Sequence, residues 1–434
     1  MASMGYLRAM ALPADLAADE AAGPGVTTTP RVSGGFIAIY ALAYTGTWLA
    51  LLTPVLVTIA LRVRQISPGN ATANLSLVLG IGAVFALVGN PLFGRLSDRT
   101  TSRWGMRRPW MVGGMLGGAL SLLLIVFAPT IGVVLLGWCL AQLAFNAVLA
   151  AIVAVLPDQV PLAQRGTVAG VLGICMPVGQ VSGTFLIQFV SGSMLAMFML
   201  PVAIGFAAVL LLAFVLRDRC LPAASRPRVG LRAVAGSFRV SLRRNPDFAW
   251  AWLSRFLLVT GTAFLTTYQP FYLVDKLGYS VGTVPHLIFT GMLVHASLIV
   301  VASLLTGRIS DALNRRKRFV VIAAAAYALG LWVIAGADHY NGFLLGMAIS
   351  GVGQGMYFAS DLALVTQVLP NRELDAAKDL GIFNIANALP QSVAPAVGPL
   401  ILAIGGGDYT WLFVAAGIVA LSSAFAIMPL KSVR

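Results

Sequence analysis

Gly94-Arg95-Leu96-Ser97-Asp98 is answered, 213 residues further along, by Gly307-Arg308-Ile309-Ser310-Asp311. The same displacement carries Leu156-Pro157 onto Leu369-Pro370, Arg165 onto Lys378 and Pro177 onto Pro390, and a displacement of 215 carries Thr45-Gly46-Thr47 onto Thr260-Gly261-Thr262. A single match of this kind arises by chance. Matches that keep their order along both halves of a chain indicate one folding unit written twice.

The unit is a membrane one. Of 434 residues, 59% are hydrophobic and 10% charged, with a mean hydropathy of +0.88, which leaves too few polar groups for a water-facing surface. An apolar helix of about 20 residues crosses a bilayer. Twelve such stretches are predicted, at 36–60, 75–93, 110–128, 131–156, 167–190, 194–216, 249–273, 284–306, 319–336, 342–369, 379–404 and 410–430. The expected fold is all-α and integral to the membrane, with twelve transmembrane helices in two pseudo-symmetric six-helix bundles. Residues 1–33 read as a disordered cytoplasmic tail, 34–216 as the N-terminal bundle, 217–248 as a basic cytoplasmic linker and 249–430 as the C-terminal bundle. Duplicated bundles of this kind are how many secondary transporters are built, with the solute held near mid-membrane.

The net charge of +14 invites a nucleic-acid reading, which the placement of the 29 basic residues opposes. With both termini cytoplasmic, 25 of them fall on that side, only Arg62, Arg64 and Lys276 fall outside, and Arg255 lies within a helix. That is the positive-inside bias, without the aromatic interleaving of a nucleic-acid surface. Eight arginines lie in 217–248, where Leu231, Val234, Ala235, Phe238 and Leu242 recur at helical spacing. This suits either an amphipathic helix on the membrane surface or a solvated linker. Cys139, Cys175 and Cys220 form no CxxC spacing. The tail, with Asp15, Asp19 and Glu20 after a weak Ala/Leu stretch, does not read as a cleaved signal. Short outer connections leave no room for a catalytic domain. The expected location is a plasma membrane, multi-pass, of a bacterial inner membrane type, and the expected state a monomer.

Residues 94–110, with Ser97-Asp98-Arg99-Thr100 followed by Ser102-Arg103-Trp104-Gly105-Met106-Arg107-Arg108-Pro109-Trp110, resemble the signature loop of the major facilitator superfamily. Their extended form is most similar to the glycoside, pentoside and hexuronide symporters and the sucrose-type proton symporters. The resemblance implies a secondary active transporter working by alternating access, with proton-coupled import of a sugar or glycoside. The alternative is a proton-coupled exporter of drugs or secondary metabolites. It also implies a gate pair of Asp98 with Arg108, with Arg99, Asp158 and Arg165 in the surrounding cytoplasmic charge network. Asp311 with Arg315, Arg316 or Arg318, and Glu373 with Lys378, form the C-half copy. Bidentate Arg–carboxylate pairs can hold two helix ends together in one state and release them in another. As solvated loop charges the same pairs contribute under ~1 kcal/mol each. The predicted spans at 75–93 and 131–156 contain no acidic residue, which departs from the sodium-coupled pattern and leaves the proton as coupling ion, with no cofactor or metal.

Ionisable groups inside spans are candidates for function by default. Asp361 lies about 13 Å from the inner end of its predicted helix at helical rise, Arg255 about two turns inside the seventh, and His295 mid-way along the eighth. Each has a bland reading as a buried pair or packing residue. His286 is a weaker candidate nearer the outer end. The candidate solute-binding set is Tyr40, Tyr44, Trp48, Gln142, Asn146, Gln180, Tyr268, Gln269, Gln354, Tyr357, Asn384 and Asn387, with Thr47 and Gln391 on the same faces. Amides give a polyol paired hydrogen bonds and flat rings pack on its C–H faces, while interhelical hydrogen bonding is the competing use. Gly351, Gly353 and Gly355 read as close helix packing rather than a nucleotide loop, as do Gly114 and Gly118. Pro177 and Pro390 read as bends.

Overall fold

A computed structural model describes residues 31–218, 220, 245–313, 316–368, 385–387 and 389–430, with the side chains of 162, 163, 166, 307, 308, 310–316 and 361–368 outside the description. Twelve helices are long and apolar enough to cross a membrane: α1 Gly34–Ile66, α2 Pro68–Asp98, α3 Arg108–Val126, α4 Ile131–Gln159, α5 Thr167–Gln188, α6 Met194–Val215, α7 Pro246–Lys276, α8 Val284–Thr306, α9 Lys317–Ala335, α10 Tyr340–Ser360, α11 Ile385–Ile404 and α12 Tyr409–Ile427. In hydrocarbon every backbone polar group needs an internal partner, and a helix supplies one for each. Several helices outrun the apolar stretches predicted for them. Helix α1 continues through Arg62 and Arg64, and α7 begins at Pro246 and ends at Lys276. Their charged ends find partners at the membrane surface, so polarity there does not stop the helix.

The helix contacts follow the repeat. In the first half α1 packs on α5 and α6, α3 on α4 and α6, and α2 on α4. In the second half α7 packs on α11 and α12, α9 on α10 and α12, and α8 on α10. The two sets meet through α2 with α11 and α5 with α8. The Thr-Gly-Thr motif explains one of these pairings. A Cβ on Gly46 would lie 2.9 Å from the Gly205 Cα of α6, and one on Gly261 would lie 3.0 Å from the Ala420 Cβ of α12. Gly46 with Gly205 and Gly261 with Ala420 are therefore the same close approach, displaced by 215 residues in both members.

The prolines mark breaks. Helix α5 is interrupted at Ile174, three residues before Pro177, and Pro390 opens a helical stretch after a turn at Leu389. Helices α1 and α7 each carry a π-helical stretch, Pro54–Thr58 within α1 and Tyr272–Lys276 at the end of α7. Pro54 and Pro270 sit at its start or just before it, and each removes an N–H from the ladder.

Cations cap the helix ends in the same duplicated way. At the face away from the termini, here the far face, Arg62 donates to the carbonyls of Ile125 (3.3 Å) and Ala128 (3.0 Å) at the end of α3. Lys276 donates to Ala335 (2.8 Å) at the end of α9. At the termini face Arg108 donates to Leu216 at the end of α6, and Lys317 to Met428 and Leu430 at the end of α12. A cation beside the last carbonyls of a helix satisfies orphan acceptors and complements the helix dipole.

Candidate functional site

At the termini face the loop between α2 and α3 turns at Gly105, whose φ of 100° is a left-handed value and whose missing Cβ leaves room for Asp218. The turn buries Arg107. Its guanidinium meets the Asp98 carboxylate at 2.6 Å and the Asp158 carboxylate at 2.8 Å, and also donates to Ser97 Oγ at 2.9 Å. One cation thereby joins the end of α2 to the end of α4. The Arg107 side chain is 5% exposed. Burial alone would weaken its charge, but the hydrogen bonds to Asp158 and Asp98 outweigh it and raise its pKa further.

The clasp thus uses Arg107, one position before the Arg108 expected from the resemblance. Arg108 turns away to cap α6. Arg165, expected in the charge network, donates to the carbonyls of Val160 (3.0 Å) and Pro157 (2.8 Å) and so caps the end of α4. Arg99 lines a cavity beside the loop and pairs with no carboxylate among the described residues. The side chains of Asp311, Arg315 and Arg316, and residues Glu373 and Lys378, lie outside the described residues, as does the proposed amphipathic stretch of the linker. Asp218, which the sequence reading passed over, accepts from the N–H groups of Arg107 (2.7 Å) and Arg108 (2.9 Å). It supplies from a distance the N-cap that Arg107 cannot give to α3.

Within the spans, several polar residues are engaged in ties between helices. Tyr40 donates to the Ile152 carbonyl at 2.8 Å, and Asn146 donates to the Gln142 carbonyl at 2.8 Å while accepting from Asn90 at 3.4 Å. His295 sits between α8 and α10, with Nδ1 3.0 Å from the Met347 carbonyl and Nε2 2.8 Å from Gln354 Oε1. Tyr357 reaches Ser254 at 3.4 Å. Arg255 donates from Nε to Asn387 Oδ1 at 2.8 Å, joining α7 to α11 in the half of the spans near the termini. Tyr44 and Trp48 form an edge-to-face pair with centroids 5.8 Å apart. Gln180 is half-buried. Gln269 and the Trp48 indole differ from the rest. Both amide atoms of Gln269 and the Trp48 N–H are buried without a hydrogen-bond partner, a costly arrangement that a polar ligand would relieve. The Asp361 side chain and the whole of Asn384 lie outside the described residues.

The far face closes the two bundles against each other. Arg64 of α1 meets Asp275 of α7 at 2.5 Å, and Asp275 also accepts from Tyr409 at 3.2 Å. The Tyr409 hydroxyl lies 3.0 Å from Thr72, Ser76 lies 2.7 Å from the Tyr268 hydroxyl, and Gln188 lies 2.7 Å from His286. Phe185 and Phe289 pack beside them with centroids 5.2 Å apart. Among the described residues, the hydrogen bonds and ion pairs that join the bundles all lie in this far half.

Two repeated six-helix sets, the loop clasp of the first set and a seal on one face form the frame of a known family, whose sequence pattern matches residues 36–377 and again 286–433. The chain belongs to the Major Facilitator Superfamily. It is a transporter, not an enzyme. Over 43 residues, 10% of the chain and 8% of the relative, it is 58% identical to an uncharacterized symporter of Synechocystis sp.. Over 173 residues, 39% of the chain and 40% of the relative, it is 30% identical to the class E tetracycline resistance protein of Escherichia coli. The chain thus spans less than half the length of either relative. Its fold is like that of the nucleoside transporter NupG, with a TM-score of 0.67 at 15% identity over 91% of this chain and 98% of that one.

Proposed function

We propose that the protein moves a small polar solute by alternating access, coupled to protons, and that the solute is a sugar or glycoside taken up into the cell. The far-face seal is the observation that carries the alternating-access reading. With the termini cytoplasmic, as the basic residues favour, the far face is external and the state described is closed to the outside. The Arg107 clasp lies within the first bundle and its trailing residue Asp218, so it serves as a rigid corner. Opening the outside requires breaking Arg64–Asp275, Thr72–Tyr409, Ser76–Tyr268 and Gln188–His286 together.

Trp48 and Gln269 are the solute-binding candidates this arrangement favours, because their hydrogen-bonding atoms are buried and unused. Tyr40, Asn146 and Gln354 are spent on ties and take lower rank. The extended loop at 94–110 and the 43-residue likeness to a symporter support the import branch. Asp361, which the sequence sets in the predicted span 342–369 as it sets Arg255 in the seventh, is the proton-carrying candidate. A second reading, proton-coupled export of drugs or secondary metabolites, is favoured by the likeness to the tetracycline resistance protein.

Uptake of labelled disaccharides, pentosides and glucosides into energised proteoliposomes, with and without a protonophore, separates the two. Protonophore-sensitive accumulation that Asp361→Asn abolishes is the expected result. Failure to accumulate any of them, with extrusion of a lipophilic dye, overturns the import reading in favour of export.

A further inference from the structure

A cavity of about 460 Å³ opens at the termini face beside the clasp, lined by Leu96, Arg99, Thr100, Thr101, Ser102 and Trp110. It is no part of the path between the bundles, since its walls come from the end of α2, the following loop and the start of α3. Its floor is fixed. The Trp110 indole donates to Thr100 Oγ1 at 2.7 Å, Thr100 donates in turn to the Leu96 carbonyl at 2.8 Å, and the Trp110 ring packs on Phe93 with centroids 5.4 Å apart.

Its one charged wall is Arg99, whose Nε is buried with no hydrogen-bond partner. Among the described residues the Arg99 guanidinium makes no ion pair, although it follows Asp98 directly in the chain. Asp98 is already committed to Arg107 at 2.6 Å. Arg95 and Arg103 flank the loop and add positive charge. Leu96 of the lining and, close to it in the chain, Leu92 and Trp104 are exposed, Trp104 by 62%, where α2 ends and the loop to α3 runs. Indole rings prefer the interfacial level.

A half-buried arginine that makes no ion pair among the described residues, hydroxyls beside it and exposed apolar side chains on the same stretch fit an anionic group that carries its own hydrocarbon. We propose that this cavity holds the phosphate of an anionic phospholipid from the leaflet on the termini face, with Arg99 as its main contact. Arg99 supplies the charge-assisted donors, Thr101 and Ser102 flank the phosphate oxygens, and Leu96 and Trp110 take the start of the acyl region. Occupancy would brace the α2–α3 loop from the side opposite Arg107. The proposal needs only that this end of the helices lie at a bilayer surface, and is independent of which solute is carried.

The test is phospholipid retention by the full-length protein, purified from nanodiscs of phosphatidylcholine with or without phosphatidylglycerol and read by native mass spectrometry and thermal midpoint. Wild-type protein is expected to retain phosphatidylglycerol and gain stability from it. Arg99→Gln should weaken retention about fivefold, and Arg99→Lys should restore much of it. Each variant's far-UV spectrum and midpoint in phosphatidylcholine alone report folding, so loss of fold is separable from loss of binding. A second arm adds inorganic phosphate to the phosphatidylcholine sample. Equal stabilisation by free phosphate overturns the lipid assignment, and equal phosphatidylglycerol retention by wild type and Arg99→Gln overturns the site.

Discussion

Breaking the Arg64–Asp275 pair should bias the far face toward opening, and the size of the effect follows from the geometry. The two side chains are 29% and 33% exposed and lie 2.5 Å apart. Solvent reaches the pair, so a fully buried value does not apply, and a figure of about 1 kcal/mol is the upper end for exposed pairs. That much, lost only in the closed state, multiplies the open-to-closed ratio by about five. Asp275→Asn removes the charge and keeps an acceptor for Tyr409, while Arg64→Gln removes the cation alone. The assay is a distance measurement between spin labels at Asn70→Cys and Gly282→Cys, both exposed far-face positions on opposite bundles, in a background without Cys139, Cys175 and Cys220. Each single variant should raise the long-distance population about fivefold at low salt and less at high salt. The double variant should match the singles, because a shared interaction is lost once. Unchanged distances in both singles, or fully additive effects in the double, refute the latch.

At the termini face Arg107→Ala strips the shared cation from two carboxylates. Asp158, 19% exposed, dominates the cost and Asp98, 56% exposed, adds little, so a loss of about 2 kcal/mol is expected. Arg108→Ala should cost less, and the order of thermal midpoints checks it. Gly46→Val and Gly261→Val should each depress the yield of folded protein, because each drives a side chain into the facing helix at an approach that only hydrogen fits; size-exclusion profiles report the loss. Asp408 caps α12 by accepting from the Thr410 N–H at 2.8 Å, and that bond holds its pKa below the ordinary carboxylate range. Its contribution is therefore present above the ordinary carboxylate pKa and lost as pH falls through the lowered one. Asp408→Ala should cost about 1 kcal/mol at neutral pH, with a gap to wild type that narrows on acidification in thermal scans. In the second bundle Arg316→Ala should impair transport more than Arg315→Ala or Arg318→Ala; equal effects would contradict the register that makes Arg316 the counterpart of Arg107.

The sequence carried the twelve spans and the duplication well because both rest on local or repeated signals. A run of apolar residues is sufficient to mark a span, and a glycine needed for close helix approach recurs wherever the same approach recurs, as Gly46 and Gly261 do. The clasp was harder to place. Arg107 and Arg108 are adjacent and chemically identical, and only the turn at Gly105 sends one toward Asp98 and Asp158 and the other toward Leu216. No spacing rule distinguishes them in a non-helical loop. Asp218 and the Arg64–Asp275 pair gave no signal at all, since each depends on a partner more than a hundred residues distant and on a flank that reads as ordinary loop charge.

The polar residues of the spans show the same limit in another form. An amide or a tyrosine in a helix looks alike whether it ties two helices or awaits a solute, and only the atoms left without partners separate Trp48 and Gln269 from Tyr40 and Asn146. The structure also returns information to the sequence. Arg108 caps α6 as Lys317 caps α12, which fixes the alignment of the two loops across their unequal lengths. From that alignment we propose Arg316 as the counterpart of Arg107 and so as the partner of Asp311, where the identical Gly-Arg-x-Ser-Asp motifs alone leave Arg315, Arg316 and Arg318 as alternatives.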